Sequence, residues 1–123
     1  MTEKQYWVVG ASWSGREDQA PAFVRRGHWF LGYEDDEAPD QAQRRDQIRT
    51  GDRIAIKKMM GQGASRVRVT AIGIVKEVDD EKCVYVDWIL TDLDRVVDAR
   101  GCFKSVHGPF EAPDPWTREV FQL

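Results

Sequence analysis

Trp13, Tyr33 and Trp88 stand beside Ser, Gly or Asp, and glycines flank the Trp29 segment, rather than long apolar runs. Five Trp in 123 residues is more indole than a core of this size needs. Indole is often highly buried but seldom completely so, because its N–H seeks a partner. A slot walled by such rings suits a flat, electron-poor guest such as a nucleobase, and stacking returns roughly 1–3 kcal/mol per base. That offsets the few kcal/mol lost when a base is extruded from a duplex. A methyl group on the base would add about 0.8 kcal/mol of apolar burial. Ser12 and Asp87 adjoin two of the rings and are candidate readers of the guest's polar edge. The expected arrangement is an aromatic cage: Trp29 and Trp13 stack on the base, Trp88 or Tyr33 closes over it, and Ser12 and Asp87 bond to it.

Each of these residues also has a plainer use. Trp7 and Trp116 read as ordinary core, whereas Gly27-His28 and Gly32 give the Trp29 segment loop character. Asp87 lies in an otherwise apolar strand, where a carboxylate is costly unless it is bonded. Either it pairs with an arginine or with loop amides, or it accepts a hydrogen bond from an exocyclic amino group, as acidic side chains do with cytosine.

Lys57, Lys58, Arg66 and Arg68 bracket a loop containing Gly61 and Gly63, and Arg25 and Arg26 precede the Trp29 segment. Cations so placed are candidates to hold a phosphate backbone, which positions a protein without reading sequence. Residues 44–76 carry nine Lys or Arg against Asp46 and Asp52, whereas the remainder carries nine basic and nineteen acidic residues. The net charge of −3 thus conceals a basic segment on an acidic body, which favours phosphate binding with little nonspecific adhesion.

Catalytic signals are weaker. His28 and His107 are far apart, and no His-containing pair has metal-ligand spacing. The acidic run 34–37 lacks the glycine and spacing of a calcium loop. Ser12 or Ser14 with His107 and an Asp has no nucleophile elbow around it. Lys57, Lys58 and His107 would be the players in a hydrolase. No cofactor and no metal is expected.

The elements that must position these groups follow from pattern. Residues 5–10 read as a strand of β-formers ended by Gly10. Residues 18–26 read as a short helix with Phe23 and Val24 inward and Gly27 as its stop. Residues 28–33 are extended, and 39–48 form a second helix opened by Pro39. In the strand 53–58, Ile54 and Ile56 face inward and Arg53 and Lys57 outward. A long strand, 66–78, becomes apolar on both faces near its centre, as a strand entering a barrel does. Strands are expected at 83–90, 95–97 and 101–106, and Asp114-Pro115 opens a last helical turn. The predicted fold is α+β: one domain over residues 1–123, a small mixed β-barrel of five to six strands with two or three short helices.

Composition agrees with a single soluble domain: 41% hydrophobic and 32% charged residues. No apolar stretch approaches the roughly 20 residues of a membrane helix, and residues 1–5 lack a secretory pattern. Cys83 and Cys102 match no metal or redox spacing. The expectation is a cytoplasmic protein with two reduced thiols and no membrane partner.

The ordered set Tyr6-Trp7-Val8-Val9 with Ser12-Trp13, Gly51-Asp52-Arg53-Ile54-Ala55-Ile56-Lys57, Ala71-Ile72-Gly73-Ile74-Val75 and Val84-Tyr85-Val86-Asp87-Trp88-Ile89 resembles the EVE domain of the PUA-like superfamily, a relative of YTH and ASCH domains. The resemblance implies a PUA-like barrel that reads nucleic acid by taking a flipped modified base, methylated adenine or cytosine, into an aromatic pocket. DNA of restriction-modification systems, with a nuclease or ATPase effector, is the partner it implies. By position, Trp29 is similar to the first cage tryptophan of YTH domains and Ser12 to the serine, or its neighbour, after their first strand. The alternative, from the ASCH relatives, is a small hydrolase or ribonuclease.

Overall fold

The computed structural model describes residues 4–13, 17–32, 36–61 and 63–122, with only the backbone of Trp13 and Glu17. The elements are β1 (Tyr6–Gly10), β2 (Ser12–Trp13), β3 (Glu17–Asp18), α1 (Ala20–Arg26), β4 (His28–Trp29), α2 (Pro39–Arg45), β5 (Arg53–Met59), β6 (Arg66–Val78), β7 (Val84–Leu90), β8 (Arg95–Asp98), β9 (Val106–Phe110) and α3 (Pro115–Phe121). Seven strands form one strongly curled half-barrel sheet in the order β4-β7-β6-β5-β1-β9, with β8 also paired to β6. Three short helices complete a mixed α+β fold consistent with a small PUA-like barrel.

The strand count exceeds the five or six expected from sequence, because β2, β3 and β4 have two residues each and show no alternation. The last strand also begins later than expected. Arg100 and Gly101 adopt positive φ, 49° and 73°, so the apolar residues Cys102 and Phe103 belong to a turn. The strand starts at Val106. In α2 the helix stops at Arg45, and Gln47 and Ile48 close a tighter turn onto Arg44 and Arg45 that swings Ile48 into the core.

Curling comes from β6. Its first residues pair with β8 (Arg66↔Asp98 to Val69↔Arg95) and its later ones with β7 (Ile72↔Leu90 to Val78↔Val84), with register shifts after Ile72 and Val75. One strand therefore serves two neighbours on the same edge, and the bulges turn it between them. Gly73 is required there, since a Cβ would overlap the Val86 side chain and the Asp87 carbonyl oxygen.

The central strands β1 and β5 pair in parallel, Tyr6↔Arg53 through Gly10↔Lys57, and both faces of this pair are covered. Trp7, Val9, Ile54 and Ile56 point into one core with Phe23, Trp29, Val84 and Val86. Tyr6, Val8 and Ala55 point into a second with Val67, Val97, Trp116 and Phe121. Lys57 continues the alternation of Ala55, but that face is closed, so the expected outward lysine is only 5% exposed. The Gly51-Asp52 turn is tied to β1 by one buried carboxylate: Asp52 accepts from the Gln5 and Arg49 amides at 3.0 Å each and from Trp7 Nε1 at 2.9 Å. No helix among the described residues is long and apolar enough to cross a membrane.

Candidate functional site

A cavity of about 560 Å³ opens where four pieces of chain meet. They are the end of β1 with Ala11 and Ser12, the approach to and start of α2 from Glu37 to Gln41, the far end of β5 at Lys57 and Met59, and residues 103–105. This volume lies within the range of ligand sites. Local chemistry sets each wall. Pro39 opens α2, and the helix turns Gln41, Ala42 and Arg45 inward. Gly10 N donates to Ser105 O at 2.8 Å, and Lys104 N donates to His107 Nε2 at 2.9 Å, which pins the 103–105 segment. Phe103 is 50% exposed and Met59 38% exposed, giving the cavity a stacking ring and a polarisable thioether.

Two buried polar side chains line this cavity. Gln41 Oε1 accepts from Val106 N at 2.6 Å, while Gln41 Nε2 is buried without a hydrogen-bond partner. A buried donor left in this state costs about 1–3 kcal/mol, which a guest with an acceptor would recover. Lys57 Nζ has as its hydrogen-bond contact the Met59 sulfur at 3.7 Å, and it forms no ion pair among the described residues. Burial brings the Lys57 ammonium down to about 8, partly countered by Cys102. The lysine therefore remains largely cationic at neutral pH. Burial, then the Lys57 charge, lower His107 to about 4. His107 is neutral, and its Nε2 is already occupied by Lys104 N.

A second hollow, of about 480 Å³, adjoins the first through Lys57 and also presents Arg25, Lys58 and Arg68. Lys58 pairs with Asp18 at 3.4 Å and Arg68 with Asp94 at 2.7 Å, both at the surface. Exposed pairs of this kind contribute little, so a phosphate can displace them.

The structure thus sorts the residues singled out by sequence. Arg25, Lys57, Lys58 and Arg68 come together around one cleft, while Arg26 and Arg66 are exposed outside it. The basic segment as a whole does not form one face. Arg45 is buried against Asp46, and Arg53 donates to Gly51 O at the opposite end of β5.

Of the expected base readers, Ser12 lines the first cavity. Trp29 does not: it is fully buried in the core, and its Nε1 donates to Gly10 O at 2.9 Å. Trp88 packs partly buried against the same core, with Nε1 donating to Phe23 O at 3.0 Å. These two indoles do not wall an open slot, because backbone carbonyls and aliphatic neighbours already satisfy them. Asp87 does not line the cavity either. It lies on the outer face of β7, exposed, and pairs with Lys76 at 3.3 Å. Tyr33, Ser14 and the Trp13 side chain lie outside the described residues. Trp7 and Trp116 are core, as the sequence leads one to expect.

Sequence reasoning misses Gln41, Met59 and Phe103. Gln41 carries a usable signal, a polar residue in line with Ala42, Arg45 and Ile48 on the inward helical face. Phe103 is hidden inside an expected strand. Among the described residues, no three His, Cys, Asp or Glu side chains gather as a metal site. Comparison with protein-family models, with curated proteins and with solved structures finds no match to this chain.

Proposed function

We propose that this protein is a non-catalytic reader of nucleic acid that admits one extruded base into the cavity between β1, α2, β5 and residues 103–105. One observation carries the reading. A base-sized hollow with two buried donors, Gln41 and Lys57, and an exposed aromatic ring, Phe103, adjoins a cleft that holds Arg25, Lys58 and Arg68. Phe103 and Met59 replace the indoles of the expected cage as the surfaces on which the base stacks. Stacking on one ring returns roughly 1–3 kcal/mol, so filling the unmet donor is needed to offset extrusion. The arginine cleft would hold the phosphates that flank the extruded nucleotide.

The partner proposed is DNA carrying a methylated base, acted on in turn by a nuclease or ATPase effector in the cytoplasm; this extends the resemblance to EVE domains. The test is a binding screen over duplexes with methylated, hydroxymethylated and unmodified adenine and cytosine. Phe103→Ala should weaken binding to the preferred duplex about tenfold while leaving the melting temperature within a few degrees of wild type. An unchanged affinity would remove the cavity from the reading.

A second reading, a small hydrolase or ribonuclease, draws on one feature. A lysine brought down to about 8 lies in a cavity beside a neutral histidine, and shifted groups in clefts mark catalytic sites. Turnover of RNA, esters or amides that vanishes in Lys57→Met would favour it.

A further inference from the structure

We propose that Gln41 and Lys57 determine which base the cavity accepts, by requiring an inserted edge with two side-by-side acceptors. The inference rests on the base-reading function proposed above and specifies its chemistry. It follows from what the polar groups around the cavity are already doing. Gly10 O accepts from Trp29 Nε1, Gly10 N donates to Ser105 O, and Ala11 O accepts from Gln19 N. Lys104 N is held by His107, so these backbone groups have partners within the chain.

Gln41 is left with one unmet atom, and its identity is fixed. Val106 N is a donor, so the amide atom that meets it at 2.6 Å is the oxygen. Nε2 is therefore the end without a partner, in a side chain only 6% exposed that lines the cavity. Lys57 adds a second donor, equally buried, whose hydrogen-bond contact is a thioether. The two buried polar side chains thus bring donors and no free acceptor, whereas the acceptors of the lining, Ser12, Glu37, Asp40 and Ser105, are exposed or half-buried at its rim.

Nucleobases differ sharply against such a pair. Cytosine presents O2 next to N3, and guanine presents O6 next to N7, each an acceptor run with no N–H between. Adenine's N1 and N7 both neighbour the exocyclic amino group, methylation at N6 leaves one N–H in place, and its N1 and N3 point apart on either side of C2–H, with N3 crowded by the sugar. An adenine edge would therefore set a donor against the donors of the cavity, or use a single acceptor and leave the other donor unmet. The favoured guests are bases of the cytosine or guanine type, with any modification placed away from the inserted edge.

The test is equilibrium binding of the whole chain to oligonucleotide duplexes, each with one unpaired base: cytosine, 5-methylcytosine, guanine, adenine or N6-methyladenine. Wild type should bind the cytosine or guanine arms about tenfold or more tightly than both adenine arms. Comparing the cytosine and guanine arms identifies the source of the acceptor run. Gln41→Glu keeps an oxygen for Val106 N and exchanges the unpartnered donor for an acceptor of the same shape, so it should erase the preference. Lys57→Met should reduce it, and would decide the matter if Gln41→Glu failed to fold. Adenine arms bound as tightly as the others, or a preference unchanged in both variants, would overturn the proposal alone. No binding of any duplex by the wild type would overturn the base-reading function and the proposal with it.

Discussion

The indole N–H of Trp29 donates to the carbonyl oxygen of Gly10 across 2.9 Å and so anchors the last residue of β1 from the core side. On its other side Gly10 faces Lys57: a Cβ built there would lie 3.6 Å from Nζ. Trp29 thus supports the wall of the cavity without touching its contents. Trp29→Phe should lower unfolding free energy by about 1–3 kcal/mol, from the missing bond and the unmet carbonyl. Trp29→Ala should cost about 3–5 kcal/mol. Denaturant midpoints check both. The ratio of affinities for modified and plain duplex in Trp29→Phe should stay near wild type, whereas a cage tryptophan would lose it.

Asp52 is the corresponding tie at the other end of β1. Asp52→Ala orphans three donors, Gln5 N, Trp7 Nε1 and Arg49 N, and should destabilise by about 3 kcal/mol or more. Asp52→Asn has a single oxygen to offer and should fall between that variant and wild type. The same denaturant series measures it.

The buried ammonium of Lys57 gives stability a defined pH dependence. Its ordinary value is 10.5 and its folded value about 8, so the unfolded chain binds more protons between those limits. Stability from this group is present above 10.5 and is lost as pH falls to about 8, an effect on the order of 3 kcal/mol. Lys57→Met should be more stable than wild type at pH 7, and the difference should shrink as pH rises through that window. His107 acts in the same sense lower down: with a folded value of about 4 against 6.5, its contribution is lost as pH falls through that interval. Unfolding free energies of wild type, Lys57→Met and His107→Gln across pH 4–10 separate the two.

Salt dependence tests the arginine cleft. Arg25→Ser combined with Arg68→Ser should weaken binding to all duplexes alike. It should also reduce the slope of log affinity against log salt by about 0.9 for each phosphate no longer neutralised. Arg53→Ser is the control. It sits at the opposite end of β5 from Lys58, roughly 16 Å away at strand rise, and should leave the slope as it is.

Local pattern carries much of the fold. The range of β6 is legible in full, because its apolar centre and flanking turn residues mark it clearly. The convergence of Lys58 and Arg68 is within reach as well, since they face each other across the β5–β6 hairpin. The cavity is not, because Gly10, Gln41, Lys57 and Phe103 meet only through pairings distant in sequence. The burial of Lys57 depends on a second core supplied by β8 and α3, which no local alternation announces. The tryptophans mislead for a related reason. Gly and Ser beside Trp29 and Trp13 speak of loops, but the acceptors for the Trp29 and Trp88 N–H groups are main-chain oxygens, which a sequence does not display.

The parallel pairing of β1 with β5 spans everything from residue 11 to residue 52, so its ends must find each other across a long closure before any ladder bond rewards the search. The cavity draws its walls from both sides of that closure, which makes it a late product of folding. A ligand that fills it should slow unfolding far more than it speeds refolding, and the lifetime of the folded chain becomes a direct gauge of occupancy.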